Sequence, residues 1–259
     1  KAFLMARRGH REKRVANAIA QLDWREVVNP YSPIEVLSEE QVQTDIDGAL
    51  HILETNGMRF LEVGSRLRLA SAGADVDEET MMVRFDRAMV MEQIAKAPSS
   101  FELRARNPAH HLKLGASHLI FASVGGPAFV SDLDKGRRPG TYEEVCDYLR
   151  LIQSLNIIHQ EGGGPFEAMD LPAETRHLDL YLAQYRLTDK NCQSYALGGE
   201  RARDSVEMAC IAMGIDRDAL LEKPALLAII NTNSPMQLDI PMTEAVDELA
   251  SAGQVCCIT

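Results

Sequence analysis

The sequence predicts an α/β protein: a (β/α)8 barrel of which the first five strands are present, preceded by a helical N-terminal extension. Three observations carry this expectation. Short apolar segments near Leu119–Val124, Ile157–Glu161, Cys192–Ala196, Ala225–Ile230 and Val255–Thr259 recur roughly every 30–38 residues, a spacing suited to βαβ units. Stretches of helical period with their own start signals lie between them. No G-x-G-x-x-G or G-x-x-x-x-G-K-[ST] opens a helix, so the nucleotide-binding doubly wound sheets lose ground to the barrel.

Taken in order, Lys1 to about Val28 is a polar arm crowded with Arg7, Arg8, Arg11, Lys13 and Arg14. Ser38-Glu39-Glu40-Gln41 has the form of a capping box, in which hydroxyl and amide side chains satisfy backbone N–H groups at a helix start. Val42, Ile46, Ala49, Leu50 and Leu53 follow as one apolar stripe, and Gly57 is placed to end that helix. A second helix is expected over Leu61–Ala72, stopping at Gly73, and a third after Asp86, ending before Pro98. The opening therefore reads as a helical region. From Phe101 the period changes to two: Phe101, Leu103 and Ala105, a turn at Asn107–Pro108, then Leu112 and Leu114, which is a hairpin pattern. A second turn is expected at Asp132–Gly136. Thr141-Tyr142-Glu143-Glu144 is another capping box, leading into Val145, Tyr148, Leu149, Ile152 and Leu155. Pro172 and Pro241 suit first helical positions, while Gly214 and Gly253 suit helix ends. The division expected is an extension with hairpin over 1–115 and the opening section of the barrel over 116–259. The stretch from Ala116 onward is little more than half of the roughly 250 residues a barrel takes, so about three βα units are expected beyond Thr259, with an unpaired strand edge near Val255.

Composition narrows the class of function. The chain has 259 residues, 46% hydrophobic and 25% charged, which excludes collagen, coiled coil and wholesale disorder. No apolar run approaches the roughly 18 residues of a membrane span, and no apolar stretch follows the basic start as in a secretory signal. The 27 Lys and Arg against 38 Asp and Glu give a net charge of −11, which disfavours nucleic acid and anionic membrane as partners and suits a cationic or neutral small substrate. The five cysteines, Cys146, Cys192, Cys210, Cys256 and Cys257, form no C-x-x-C and are odd in number. Reduced thiols in a cytoplasmic protein are the expectation.

In parallel α/β folds the loops after the strands carry the site. Gly125–Gly126, Gly162–Gly163–Gly164 and Gly198–Gly199 fall on that rim and predict an open mouth. Glu161, at the most charged strand end, offers a countercharge or a base, and alternation puts His159 on its face of the strand, so that the two could work together. Tyr195 offers a ring face to an alkylammonium ion. Asn231 and Asn233 offer orienting amides, with Asx-turn formation as the structural alternative. No metal site is assigned, since His159 and Glu161 lack the further ligands one needs. Neither a G-x-S-x-G elbow nor a nucleophile–base pair is visible, and no catalytic residue is assigned.

Pro33-Ile34-Glu35-Val36-Leu37-Ser38, Ala97-Pro98-Ser99-Ser100-Phe101, Arg106-Asn107-Pro108, the Gly125–Gly126 strand end, Thr188-Asp189-Lys190 and Ile230-Asn231-Thr232-Asn233-Ser234-Pro235 together resemble the trimethylamine methyltransferase family, the corrinoid-dependent amine demethylases. The resemblance covers nearly the whole chain. It implies a barrel protein of about twice this length that moves a methyl group from a tertiary or quaternary methylamine, trimethylamine or a betaine, to Co(I) of a separate corrinoid protein. The corrinoid (cobalamin) would be carried by that partner, with none bound directly, and a homo-oligomer is expected. The pyrrolysine found in some members of the family would lie beyond Thr259. On this reading Glu161, Tyr195 and Asn233 meet the amine with Asn231 beside them, His159 supports Glu161, and Gly125, Gly126 and Gly163 leave room for the corrinoid. The competing readings are a metal-dependent aldolase or lyase barrel and a non-catalytic small-molecule-binding barrel.

Overall fold

A short strand, β1 (Val27–Val28), opens the described region of the chain, which in this computed structural model comprises residues 19–126 and 128–259. The basic cluster Arg7 to Arg14 lies outside it. Ser38 then caps α1 (Glu39–Thr55) through the expected box: its hydroxyl accepts from the Gln41 N–H at 3.3 Å, and the Gln41 side chain accepts from the Ser38 N–H at 2.9 Å. Only Leu50 of the α1 stripe is buried, and Val42 and Ile46 remain exposed. Gly57 follows the helix at φ +76°, where a Cβ would collide with the Val83 carbonyl oxygen, so both conformation and space require glycine.

The opening is not purely helical, contrary to expectation. Strands β2 (Met58–Phe60), β3 (Asp75–Asp77) and β4 (Met82–Arg84) form an antiparallel sheet around α2 (Val63–Ser71), and α3 (Arg87–Ile94) follows. Three-residue strands are too short to establish a period of two, which is why the alternation left no trace. The hairpin is as expected: β5 (Ser100–Leu103) pairs with β6 (Leu112–Gly115), Phe101 opposite Leu114 and Leu103 opposite Leu112. The strand β7 (His118–Leu119) then pairs antiparallel with β1, and β8 (Val130–Asp132) pairs with β9 (Gly136–Arg138) around the second expected turn.

From here helices and strands alternate: α4 (Tyr142–Ser154), β10 (Gln160–Glu161), α5 (Arg176–Leu187), β11 (Asn191–Cys192), α6 (Gly199–Met213), α7 (Arg217–Glu222), β12 (Leu227–Ile230), β13 (Gln237–Leu238), α8 (Ile240–Ser251) and β14 (Val255–Ile258). Thr141 caps α4 with Glu144 as its box partner. Pro241 lies in the first turn of α8, but Pro172 does not start a helix; it sits one turn upstream of α5, its carbonyl accepting from the Arg176 N–H at 2.9 Å. A proline so placed supports the turn that feeds the helix.

The parallel segments adjoin in sequence order. Ala122 bridges to Gln160, β10 pairs with β11, Gln193 bridges to Leu227, and β12 pairs with β14, every contact parallel. The architecture is thus mixed α/β with an open run of parallel strands; the described residues do not close a barrel, and β14 bonds on the side of β12. Alternation along β12 sorts its residues. Ala228 and Ile230 pack with Val206 and Ala209 of α6 and Ala245 and Leu249 of α8, while Leu227 packs with Leu103 and Leu112 of the hairpin. The hairpin therefore covers the N-terminal end of the strands. A third cluster joins Val145 and Leu149 of α4 to Leu180 and Ala183 of α5. Leu149 is fully buried, and truncating it to alanine should cost roughly 2–5 kcal/mol. Backbone hydrogen bonds also tie the opening sheet to the later chain, since β13 pairs parallel with β2. No helix among the described residues is long and apolar enough to cross a membrane.

Candidate active site

The C-terminal ends of the parallel segments surround a cavity of about 420 Å³. The first strand's loop gives it Ser123, Gly125 and Gly126, the second gives Gly162, Gly163 and Glu167, and the third gives Gln193 to Leu197; Ile229, Asn231 and Met242 complete the lining. A wider cleft of about 560 Å³ lies between α2, α6 and α8, away from the strand ends. Its arginines are paired with its carboxylates, Arg68 with Asp247 and Arg203 with Glu248. Strand ends are where free backbone groups and side chains of parallel α/β proteins converge, so the smaller cavity is the candidate site.

The structure brings Tyr195, Asn231, Gly125, Gly126 and Gly163 to this cavity and keeps Glu161, His159 and Asn233 out of its lining. The glycines act differently from expectation. The Gly126 N–H donates to the Gly164 carbonyl at 2.9 Å, and the Gly162 N–H donates to the Ser123 hydroxyl at 2.9 Å. A Cβ on Gly125 would overlap the Gly162 carbonyl oxygen. Gly125 is therefore glycine because two loops touch there. Gly126 alone of the three has open space where a Cβ would stand.

Glu161 is fully buried. One carboxylate oxygen accepts from the Gly164 N–H at 2.8 Å; the other accepts from the Gly163 N–H at 2.9 Å and from Nε2 of Gln184 on α5 at 2.7 Å. Burial pushes its pKa up to about 7, against those three donors, which favour the charged form. Glu161 thus holds the glycine loop in shape from behind and touches no ligand space. His159 does not support it. Its Nδ1 accepts from the Phe121 N–H at 3.1 Å and its Nε2 donates to the Arg25 carbonyl at 3.1 Å, between the rings of Trp24 and Phe121. Burial lowers its pKa, in keeping with a neutral ring. The expected partnership fails because both ring nitrogens are committed at the N-terminal end of the strand. No group of three or more His, Cys, Asp or Glu among the described residues is placed to hold a metal ion.

The neighbour of Glu161 faces the other way. Gln160 pairs in register with Asn191 and its Nε2 donates to the Asn191 Oδ1 at 2.6 Å; two residues on, Gln193 shares that face and reaches Gln160 at 3.5 Å. The sequence reading missed this amide row, although alternation placed it opposite Glu161. Tyr195 stands edge-on to Tyr181, ring centroids 5.3 Å apart, and its N–H donates to the Tyr181 hydroxyl at 2.7 Å. Burial first, then the negative charge of Glu167, raises the Tyr195 pKa, so its phenol stays protonated. Asn231 accepts from the Thr259 hydroxyl at 2.8 Å at the cavity edge. Asn233 is a turn former: its N–H donates to the Gln237 carbonyl at 2.7 Å and its Oδ1 accepts from the Asp239 N–H at 3.0 Å.

A run of parallel βα units with a ligand-sized cavity at the strand ends is the arrangement of the α/β class that carries its site on the strand-end loops. The particular family follows from comparison: the chain belongs to the trimethylamine methyltransferase family, whose description, Trimethylamine methyltransferase (MTTB), matches residues 5–259. A glycine betaine methyltransferase of Desulfitobacterium hafniense (strain Y51) is 34% identical over 228 residues, 86% of this chain and 46% of the relative. Trimethylamine methyltransferase MttB of Desulfitobacterium hafniense (strain DSM 10664 / DCB-2) is 24% identical over 217 residues, 83% of this chain and 43% of the relative. The chain thus spans less than half the length of these relatives.

Proposed function

We propose that the whole protein takes a methyl group from a quaternary or tertiary methylamine and delivers it to Co(I) of a corrinoid protein. In this reading residues 1–115 are the extension and residues 116–259 the opening section of a (β/α)8 barrel. The higher identity to the glycine betaine methyltransferase favours a quaternary amine. The observation that carries the reading is the cavity itself: it opens at the strand ends, has Tyr195 in its lining, and among the described residues has no cationic side chain there. Such a lining suits a methylated ammonium ion, which attracts aromatic faces and repels cations. The chain must bind that ion, strip its water and aim one methyl group outward. A quaternary amine, or a tertiary one bound as its protonated ammonium ion, keeps the electron pair of its C–N bond and leaves neutral, so no further acid is needed to release it.

The corrinoid, held by the partner, would supply the strong nucleophile. The rim fits its approach: Gly126 is uncrowded, and Val124 and Leu197 are exposed apolar residues beside the mouth. The five cysteines are free, which supports a cytoplasmic setting. A homo-oligomer is part of the same reading. The test uses full-length protein with a reduced corrinoid partner and, separately, glycine betaine and trimethylamine. The expected result is a change in corrinoid absorbance matched by stoichiometric demethylated amine from one of them. Absence of demethylated product from both would overturn the reading.

A further inference from the structure

We propose that Glu167 is the countercharge for the substrate's ammonium group and determines the preference for a cation over a neutral molecule of the same shape. This rests on the methylamine reading above. Among the described residues lining the cavity, Glu167 alone carries a charge. Its backbone is fixed on both sides: Phe166 and Ala168 are buried, Phe166 packs against Gly140, and Ala168 forms a parallel bridge to Gly140. Its side chain is fixed as well. Nη1 of Arg176 donates to Oε2 at 2.7 Å, while Nη2 of the same guanidinium donates to the Leu171 carbonyl at 2.9 Å. Arg176 is the buried member of the pair, with 13% of its side chain exposed against 34% for Glu167. Among the described residues Oε1 has no protein donor. Glu167 also lies close enough to Tyr195 for its charge to act on the phenol. A carboxylate and an aromatic ring therefore share one cavity, the pairing that recognises quaternary ammonium.

The arginine behind the carboxylate has a kinetic meaning. The nitrogen loses its positive charge as the methyl departs, so a bare carboxylate would stabilise bound substrate more than the transition state and slow the reaction. Arg176 moderates the field while keeping the carboxylate aimed. Glu167 should accordingly act on substrate binding and leave turnover largely unchanged.

The test compares full-length wild type with Glu167→Gln, Glu167→Asp and Arg176→Met. Calorimetry uses glycine betaine, tetramethylammonium and 3,3-dimethylbutanoate, the last replacing the charged nitrogen of betaine with carbon. Glu167→Gln should weaken both ammonium ligands by about 10-fold, on the scale of tenfold per 1.4 kcal/mol, and leave the analogue with an uncharged centre unchanged. It should raise KM without lowering kcat, and Glu167→Asp should restore most of the affinity. Arg176→Met, which leaves the carboxylate unneutralised, should lower kcat. Equal losses for the ammonium ligands and the analogue in Glu167→Gln, or an unchanged kcat in Arg176→Met, would make the pair merely structural and overturn the proposal. Failure of wild type to bind any methylated ammonium ion would overturn it too. If cation binding follows Glu167 but no methyl group reaches a corrinoid, the countercharge stands and the methyl-transfer reading falls.

Discussion

Asn107 grips Asp189 twice: its Nδ2 donates to the Asp189 carboxylate at 2.8 Å, and its backbone N–H donates to the Asp189 carbonyl at 3.2 Å. The turn of the β5–β6 hairpin is thereby fastened to the start of β11; the carboxylate also accepts from Nε2 of Gln153 at 2.8 Å, and Nδ1 of His110 lies 2.9 Å from it. Burial would raise the Asp189 pKa, but the bonds from Asn107 and Gln153, with His110 alongside, outweigh it and hold the pKa below the usual value.

Asn107→Ala should therefore destabilise the full-length protein by about 1–3 kcal/mol, the cost of leaving buried partners unmet. Urea unfolding measures this directly. With Asp189→Ala, a double-mutant cycle should show that the two losses do not add. Because the folded pKa is depressed, this contribution is present above the unfolded value near 3.8 and disappears as pH falls through the lower folded value.

Glu161 has the opposite linkage. Its folded pKa of about 7 lies above the unfolded 4.5, so the folded state holds the extra proton between them, and stability should fall as pH rises through that window. The effect is on the order of 3 kcal/mol at most, from 1.36 kcal/mol per unit of pKa. Glu161→Gln should flatten that slope between about pH 5 and 7.5. Since the residue shapes the loop and does not touch ligand, the variant should weaken charged and neutral-centred ligands alike. Selective loss of cations would show that Glu161 does reach the substrate.

Gly125→Ala and Gly126→Ala separate loop packing from room for a partner. The first must push the touching backbones apart and should distort the cavity, lowering affinity for free amine. The second meets only the strain of its φ of +78°, about 1 kcal/mol, and should leave amine affinity nearly unchanged. Equal amine affinities in both variants would refute the stitched-loop account.

Tyr195→Phe keeps the ring and should retain cation affinity within a factor of about two. Tyr195→Ala should lose about 0.5–2 kcal/mol, seen by calorimetry as weaker tetramethylammonium binding. A larger effect of the phenylalanine variant would assign recognition to the hydroxyl.

Much of the scaffold could be read from the sequence because its signals are local. The capping boxes at Ser38 and Thr141, and the alternation that sets Phe101 against Leu114, depend on neighbours within a few residues. The sheet of β2, β3 and β4 could not be read, since three residues hold too little pattern. At the site, the strand ends were found but the facing of their side chains was not. Glu161 and Gln160 are adjacent, and nothing in a two-residue strand says which one turns toward the cavity. Glu167 gave no sequence signal, because what positions it is tertiary: a guanidinium on α5 and the packing of Phe166 against Gly140.

Leu103 and Leu112 are buried against Leu227 at the end of the strands opposite the cavity, so in this part of the protein that end is stoppered. If the proposed barrel closes around the cavity, the small amine and the partner's bulky cofactor share one doorway, the amine enters before the partner arrives, and the demethylated product waits until the partner withdraws. Such a queue makes turnover compulsorily sequential, and a large excess of the corrinoid protein should inhibit by blocking the entrance to an empty site.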